Sequence, residues 1–161
     1  MREILNRERF FELLGSPYFP YIAVELIYIV ISIIFNFKLR HLNELLYQNF
    51  DIDRMVLHKN VVIATDVMGF DNNASYEFLI GGILLIIVAF IIPIVSSLIN
   101  KSSYKDEEVK LAIWLIISVI IVTNVIVVIF ISKALFSPII IATLILCAAG
   151  SAFAIGGSSQ T

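Results

Sequence analysis

The sequence predicts an all-α integral membrane protein: four transmembrane helices, an N-terminal interfacial amphipathic helix, and an extramembrane loop over residues 38–76 between spans 1 and 2. Three observations carry this. The 161 residues are 60% hydrophobic and only 15% charged, where a soluble domain holds about 25% charged residues. Mean hydropathy is +0.97. Four separate runs approach the roughly 20 apolar residues that a helix needs to cross a bilayer core.

Residues 1–16 form the first element. Ile4, Phe10, Phe11, Leu13 and Leu14 alternate with Arg2, Arg7, Arg9, Glu3, Glu8 and Glu12 at a roughly helical period, which suits a helix lying in the membrane interface. Gly15 can end it, Ser16 can cap the next helix, and Pro17 suits that helix's first turn. The membrane domain is then residues 17–161. Its spans are expected near 18–37, 78–99, 111–132 and 136–155. The first apolar run exceeds the roughly 7–15 residues of a signal-peptide core, so it reads as an uncleaved span. Lys133 to Ala154 ends in the cleavage-like triplet Ala-Phe-Ala. Its place late in the chain makes it a last span with a small-residue face.

Within the loop, Leu42, Leu45, Leu46 and Phe50 share one helical face, giving a second interfacial helix. Residues 60–70 are rich in β-branched side chains and are expected to be extended. Asp71, Asn72 and Asn73 form a turn before span 2. The loop is too short for an independent domain. Asn100 to Glu108 is a short polar hairpin between spans 2 and 3, and the shorter connection at Ser132 to Leu135 makes spans 3 and 4 adjacent and antiparallel. Asp106, Glu107 and Glu108 suit the positive end of span 3.

Charge and motifs exclude several functions. Net charge is −2 with no Lys/Arg-rich run, so nucleic acid has no electrostatic foothold. Cys147 is the single cysteine, leaving neither a CxxC pair nor an internal disulfide. His41, Asp51, Asp53, His58 and Asp66 are scattered without metal-site spacing. There is no phosphate loop, nucleophile elbow or nucleophile–base pair. No enzyme, cofactor or metal is therefore expected.

The chemically unusual residues lie in the spans. Glu25 sits inside YIAVELIYIV, where an acid must face protein or water or carry a proton. Thr123 and Asn124 fall near the middle of span 3, with Ser118 nearer the expected level of Glu25 if spans 1 and 3 run parallel. Together they could line an ion pathway or hold helices together by hydrogen bonds. Pro93 removes a backbone donor from span 2 and is expected to kink it. Ala148, Gly150, Ser151, Ala152 and Ala154 form a small-residue helix-packing face.

The expected function is a non-enzymatic subunit of an oligomeric membrane assembly, with Glu25 as the intramembrane acid of an ion- or proton-conducting pore. Its partners would be the lipid bilayer and either copies of itself or other membrane-protein subunits. The alternatives are a membrane interaction protein of the immunity or defence type and a small transporter. Location is expected in the cell's inner or plasma membrane. Arg2, Arg7, Arg9, Lys101, Lys105 and Lys110 against Lys38, Arg40, Arg54, Lys59 and Lys133 give both termini inside.

Overall fold

A computed structural model describes residues 15–103, 105–136 and 138–157, with side chains through Ser151 except Ser103. The expected interfacial helix lies almost wholly outside the described residues. Those described form helices and no strands: α1 (Phe19–Asn49), α2 (Ile52–His58), α3 (Val61–Ser103), α4 (Glu107–Leu135) and α5 (Pro138–Gly157). Helices α1, α3 and α4 are each long and apolar enough to cross a membrane, and α5 is a shorter apolar helix. Such helices are compatible with a small membrane protein.

Helix starts follow from local chemistry. The Tyr18 N–H donates to Ser16 Oγ at 3.3 Å, and the Phe19 N–H donates to the Ser16 carbonyl at 3.1 Å. Ser16 thus closes the start of α1. Pro17 precedes the helix, and Pro20 occupies its first turn, where no donor is needed. Asp51 Oδ1 accepts from the Arg54 N–H at 2.9 Å and caps α2. Asp106 Oδ1 does the same for α4 through the Glu108 N–H at 3.0 Å. The Glu107–Lys110 pair beside it, at 3.1 Å, is exposed and contributes little.

Residues 38–76 differ from the expectation. The helix expected from His41 is the continuation of α1, with Leu39, Leu42 and Leu46 buried. Residues 61–69 are helical rather than extended. Asn60 Oδ1 accepts from the N–H groups of Val62 and Ile63 at 3.0 and 3.2 Å, and Ala64 and Val67 are buried three residues apart. A cap and a buried helical face outweigh weak β-branched propensity. The turn falls where expected. Asp71, Asn72 and Asn73 take left-handed φ of 47°, 57° and 70°, breaking α3. Ser75 Oγ donates to the Val67 carbonyl at 2.6 Å across the break. Asp and Asn tolerate this conformation better than other residues with a Cβ, but glycine is freer still. Asn72→Gly should therefore raise stability by about 0.5 kcal/mol and Asn72→Val lower it by about 1–2 kcal/mol. Unfolding in detergent micelles checks both signs.

The chain divides into two compact units. Unit 1 holds the described residues through Ser32 together with Ile87–Val128. Its buried positions are Tyr21, Glu25, Tyr28 and Ser32 on α1; Ala89, Ile92, Ser96 and Asn100 on α3; and Ile113, Ile117, Ile120 and Asn124 on α4. Within each helix these recur in steps of three and four, the spacing of a buried seam along a helix. Their outward neighbours Ile22, Leu26, Ile27, Val30 and Ile31 are exposed, as side chains facing lipid would be. Asn100 Nδ2 donates to the Lys110 carbonyl at 3.3 Å near the α3–α4 connection.

Unit 2 comprises Ile33–Ile86 and the described residues from Ile129 onward. Leu39, Leu46, Met55, Val67, Ile131, Leu135 and Ile139 form its core. Phe35 meets Phe78 at 5.3 Å between ring centroids, and Phe50 meets Phe70 edge-on at 5.5 Å. Asn43 Nδ2 donates to the Ala134 carbonyl at 2.7 Å, satisfying an orphan acceptor in the last turn of α4. A Cβ at Gly82 would press on the Leu135 side chain, whereas one at Gly69 would meet nothing. Gly82→Ala should cost about 1–3 kcal/mol, and Gly69→Ala should be neutral or stabilising by up to about 1 kcal/mol. Parallel thermal unfolding of the two variants is the check.

Candidate functional site

The candidate site is built on the first half of α1, within unit 1. Glu25 lies six residues after Phe19, about 9 Å along the helix. Its neighbours on the same buried face are Tyr21, Tyr28 and Ser32, in steps of four, three and four. Every buried side chain of this half of α1 thus carries a polar atom, while the rest of the helix surface is apolar. Tyr28 and Ser32 lie one helical turn apart on this face. Asn36 comes four residues later, in unit 2.

Glu25 is 7% exposed. Neither carboxyl oxygen has a hydrogen-bond partner, and both are enclosed. Among the described residues, no salt bridge joins Glu25 to a charged neighbour. The buried positions of α3 and α4 in unit 1 hold no ionisable side chain, and the one ion pair among the described residues is Glu107–Lys110. An ionised acid held this way is costly, because no positive charge or donor replaces its hydration.

Glu25 also lines a cleft of about 370 Å³ between α1 and α4. Seven of the nine lining residues are Ile, Leu or Val, and the remaining two are Glu25 and Thr123. The structure therefore brings Thr123 and Glu25 to one cleft. It does not bring Ser118 there: that side chain is exposed, and its hydroxyl donates to the Trp114 carbonyl of its own helix at 2.9 Å. A second cleft, of about 260 Å³, lies on the α3 side, where Tyr21 and Ser96 join apolar residues.

Asn124 is engaged elsewhere. It is 3% exposed, and its Nδ2 donates to the Ala89 carbonyl of α3 at 2.9 Å. Ala89 lies four residues before Pro93. In a regular helix its carbonyl would accept the N–H of residue 93, and proline has none. Asn124 supplies the missing donor from the neighbouring helix. The Pro93 carbonyl in turn accepts the Ser97 hydroxyl at 2.7 Å. The residues of α3 that leave helical dihedrals are 70–73, and Pro93 is not among them.

On α5, Ala148, Gly150 and Ser151 are exposed, and a Cβ at Gly150 would meet nothing. The side chains of Ala152 and Ala154 lie outside the described residues. Cys147 is exposed. Among the described residues no three His, Cys, Asp or Glu side chains gather in one place.

Sequence reasoning named Glu25 and Thr123, which line one cleft, but missed the polar stripe around Glu25. Its signal was available as the spacing Tyr21, Glu25, Tyr28, Ser32. The Ala89–Asn124 bond also had a signal, the carbonyl four residues before Pro93. The chain matches no family model, no curated protein and no solved structure.

Proposed function

We propose that this chain is a non-enzymatic subunit of an oligomeric membrane assembly that conducts ions past Glu25. Four spans would be formed by α1, residues 74–103 of α3, α4 and α5. One observation carries the reading: an acid buried in an apolar span, with neither oxygen partnered, on a continuous polar face and beside a cleft. No hydrogen bond of the packing uses the carboxyl, which leaves it free to exchange an ion. An ion passing along the seam would exchange at Glu25, with the hydroxyls of Tyr21, Tyr28, Ser32 and Thr123 lining its route.

The test is reconstitution in vesicles of neutral lipid, with ion flux followed under an imposed potential and the particle mass measured in the same lipid. Wild-type vesicles should leak, and Glu25→Gln should lose about tenfold or more of the flux while keeping the same mass. Equal flux in both proteins rejects the mechanism.

A second reading rests on a different observation. The exposed small residues Ala148, Gly150 and Ser151 permit close approach of another helix. On this view the chain recognises a different membrane protein in the bilayer, in the manner of an immunity protein, and Glu25 is dispensable. Gly150→Leu would then abolish co-purification of the partner, while Glu25→Gln would leave it intact.

A further inference from the structure

We infer, resting on the conducting role proposed above, that the ion taken by Glu25 is a proton and that the site refuses metal cations. The argument is one of ligand supply. Calcium takes about 6–8 oxygen ligands, and potassium sites replace the hydration shell with rings of carbonyl oxygens. Only Glu25 and Thr123 among the nine residues lining the cleft carry side-chain oxygens, three in all, and the other seven are Ile, Leu or Val. The Ala89 carbonyl, freed by Pro93, is already taken by Asn124.

Access points the same way. Both Glu25 oxygens are enclosed and in contact with protein atoms, so a hydrated ion cannot reach them without displacing packed side chains. A proton needs no coordination sphere and can travel by hydroxyls. The Tyr28 and Ser32 hydroxyls follow Glu25 on the same buried face.

Among the described buried residues of unit 1, Glu25 is the one carboxyl. The remaining buried groups described in unit 1 are the Tyr21 and Tyr28 phenols and Ser32 on α1, Ser96 and Asn100 on α3, and Asn124 on α4, with isoleucines and an alanine between them. Proton uptake in this unit's interior is thus assigned to a single carboxyl.

The experiment is a difference proton titration of the full chain in lipid nanodiscs, wild type against Glu25→Gln, with and without Na⁺, K⁺ or Ca²⁺. The expected result is one additional proton bound per wild-type chain, at a midpoint that none of the three cations moves. A midpoint displaced by rising metal concentration shows competition for the carboxyl and overturns the inference. Identical titrations of the two proteins show a carboxyl that exchanges no proton and overturn it too. Should Glu25→Gln not assemble, Glu25→Asp supplies the comparison: it must keep the extra proton with an altered midpoint, and an unaltered titration curve counts against the proposal. The conducting role fails separately. If the proton is bound as expected but vesicles do not leak, the site stands as a proton-binding one and the pore falls.

Discussion

Asn124→Ala should destabilise the protein by about 1–2 kcal/mol when Pro93 is present, and by less than about 0.5 kcal/mol when residue 93 is alanine. The first figure combines a lost interhelical hydrogen bond with a stranded acceptor. Such bonds average about 0.6 kcal/mol in membranes, but a buried carbonyl left without a donor adds to that. The acceptor is the Ala89 carbonyl, 2.9 Å from Asn124 Nδ2, and it lacks an intrahelical donor only because residue 93 is proline. In Pro93→Ala the residue 93 N–H returns and takes the carbonyl. Asn124 then has nothing left to satisfy, and its removal matters little. The two substitutions must therefore couple, which a double-mutant cycle measures by reversible unfolding in bicelles. Additive effects would show that Asn124 and Pro93 act independently, against the geometry. Glycine or leucine at position 124 should follow alanine, because neither restores a donor.

This pair shows what was legible in the sequence and what was not. The three long apolar helices could be read directly, because about 20 apolar residues in a row have few other uses. The turn at Asp71–Asn73 was readable for the same kind of reason, since Asp and Asn are the non-glycine residues that accept left-handed backbone most readily. Residues 61–69 were not readable as helix. Val61, Val62 and Ile63 favour strands in isolation, and what decides is the Asn60 cap and the burial of Ala64 and Val67. Burial is a tertiary property and no local composition announces it. The continuation of α1 past Lys38 was hidden likewise. Charge marks where a helix leaves apolar surroundings, not where it ends, and Leu39, Leu42 and Leu46 hold the helix together beyond that point.

At the candidate site, Glu25 and Thr123 were named from residue type and depth, and they line one cleft. Ser118 was named by level along the helix alone. Level fixes height but not azimuth, and Ser118 is exposed. The face of α1 was the readable feature that went unread. Positions 21, 25, 28 and 32 are polar at the seam period, while the positions between them are almost all apolar. In water that pattern would be an amphipathic helix with its polar side out. In lipid the apolar side faces out, and the polar stripe becomes the buried one.

Replacing Glu25 with leucine should therefore stabilise the fold, by about 1–3 kcal/mol, while removing whatever the site does. The sign is the informative part. If the carboxyl were structural glue, its oxygens would hold partners and leucine would strand them, making the variant less stable. Neither oxygen has a partner, so leucine strands nothing and removes the penalty of burying the acid. The two side chains are similar in size, so packing around Tyr21, Tyr28 and the α4 isoleucines should change little. Stability that rises as activity disappears is what a residue retained for function produces. The measurement is reversible unfolding of wild type, Glu25→Leu and Glu25→Gln in bicelles, paired with flux in vesicles. Glutamine should fall between the other two in stability, since it keeps the polar volume but sheds the ionisable group. A leucine variant less stable than wild type would return Glu25 to a packing role, and the site with it.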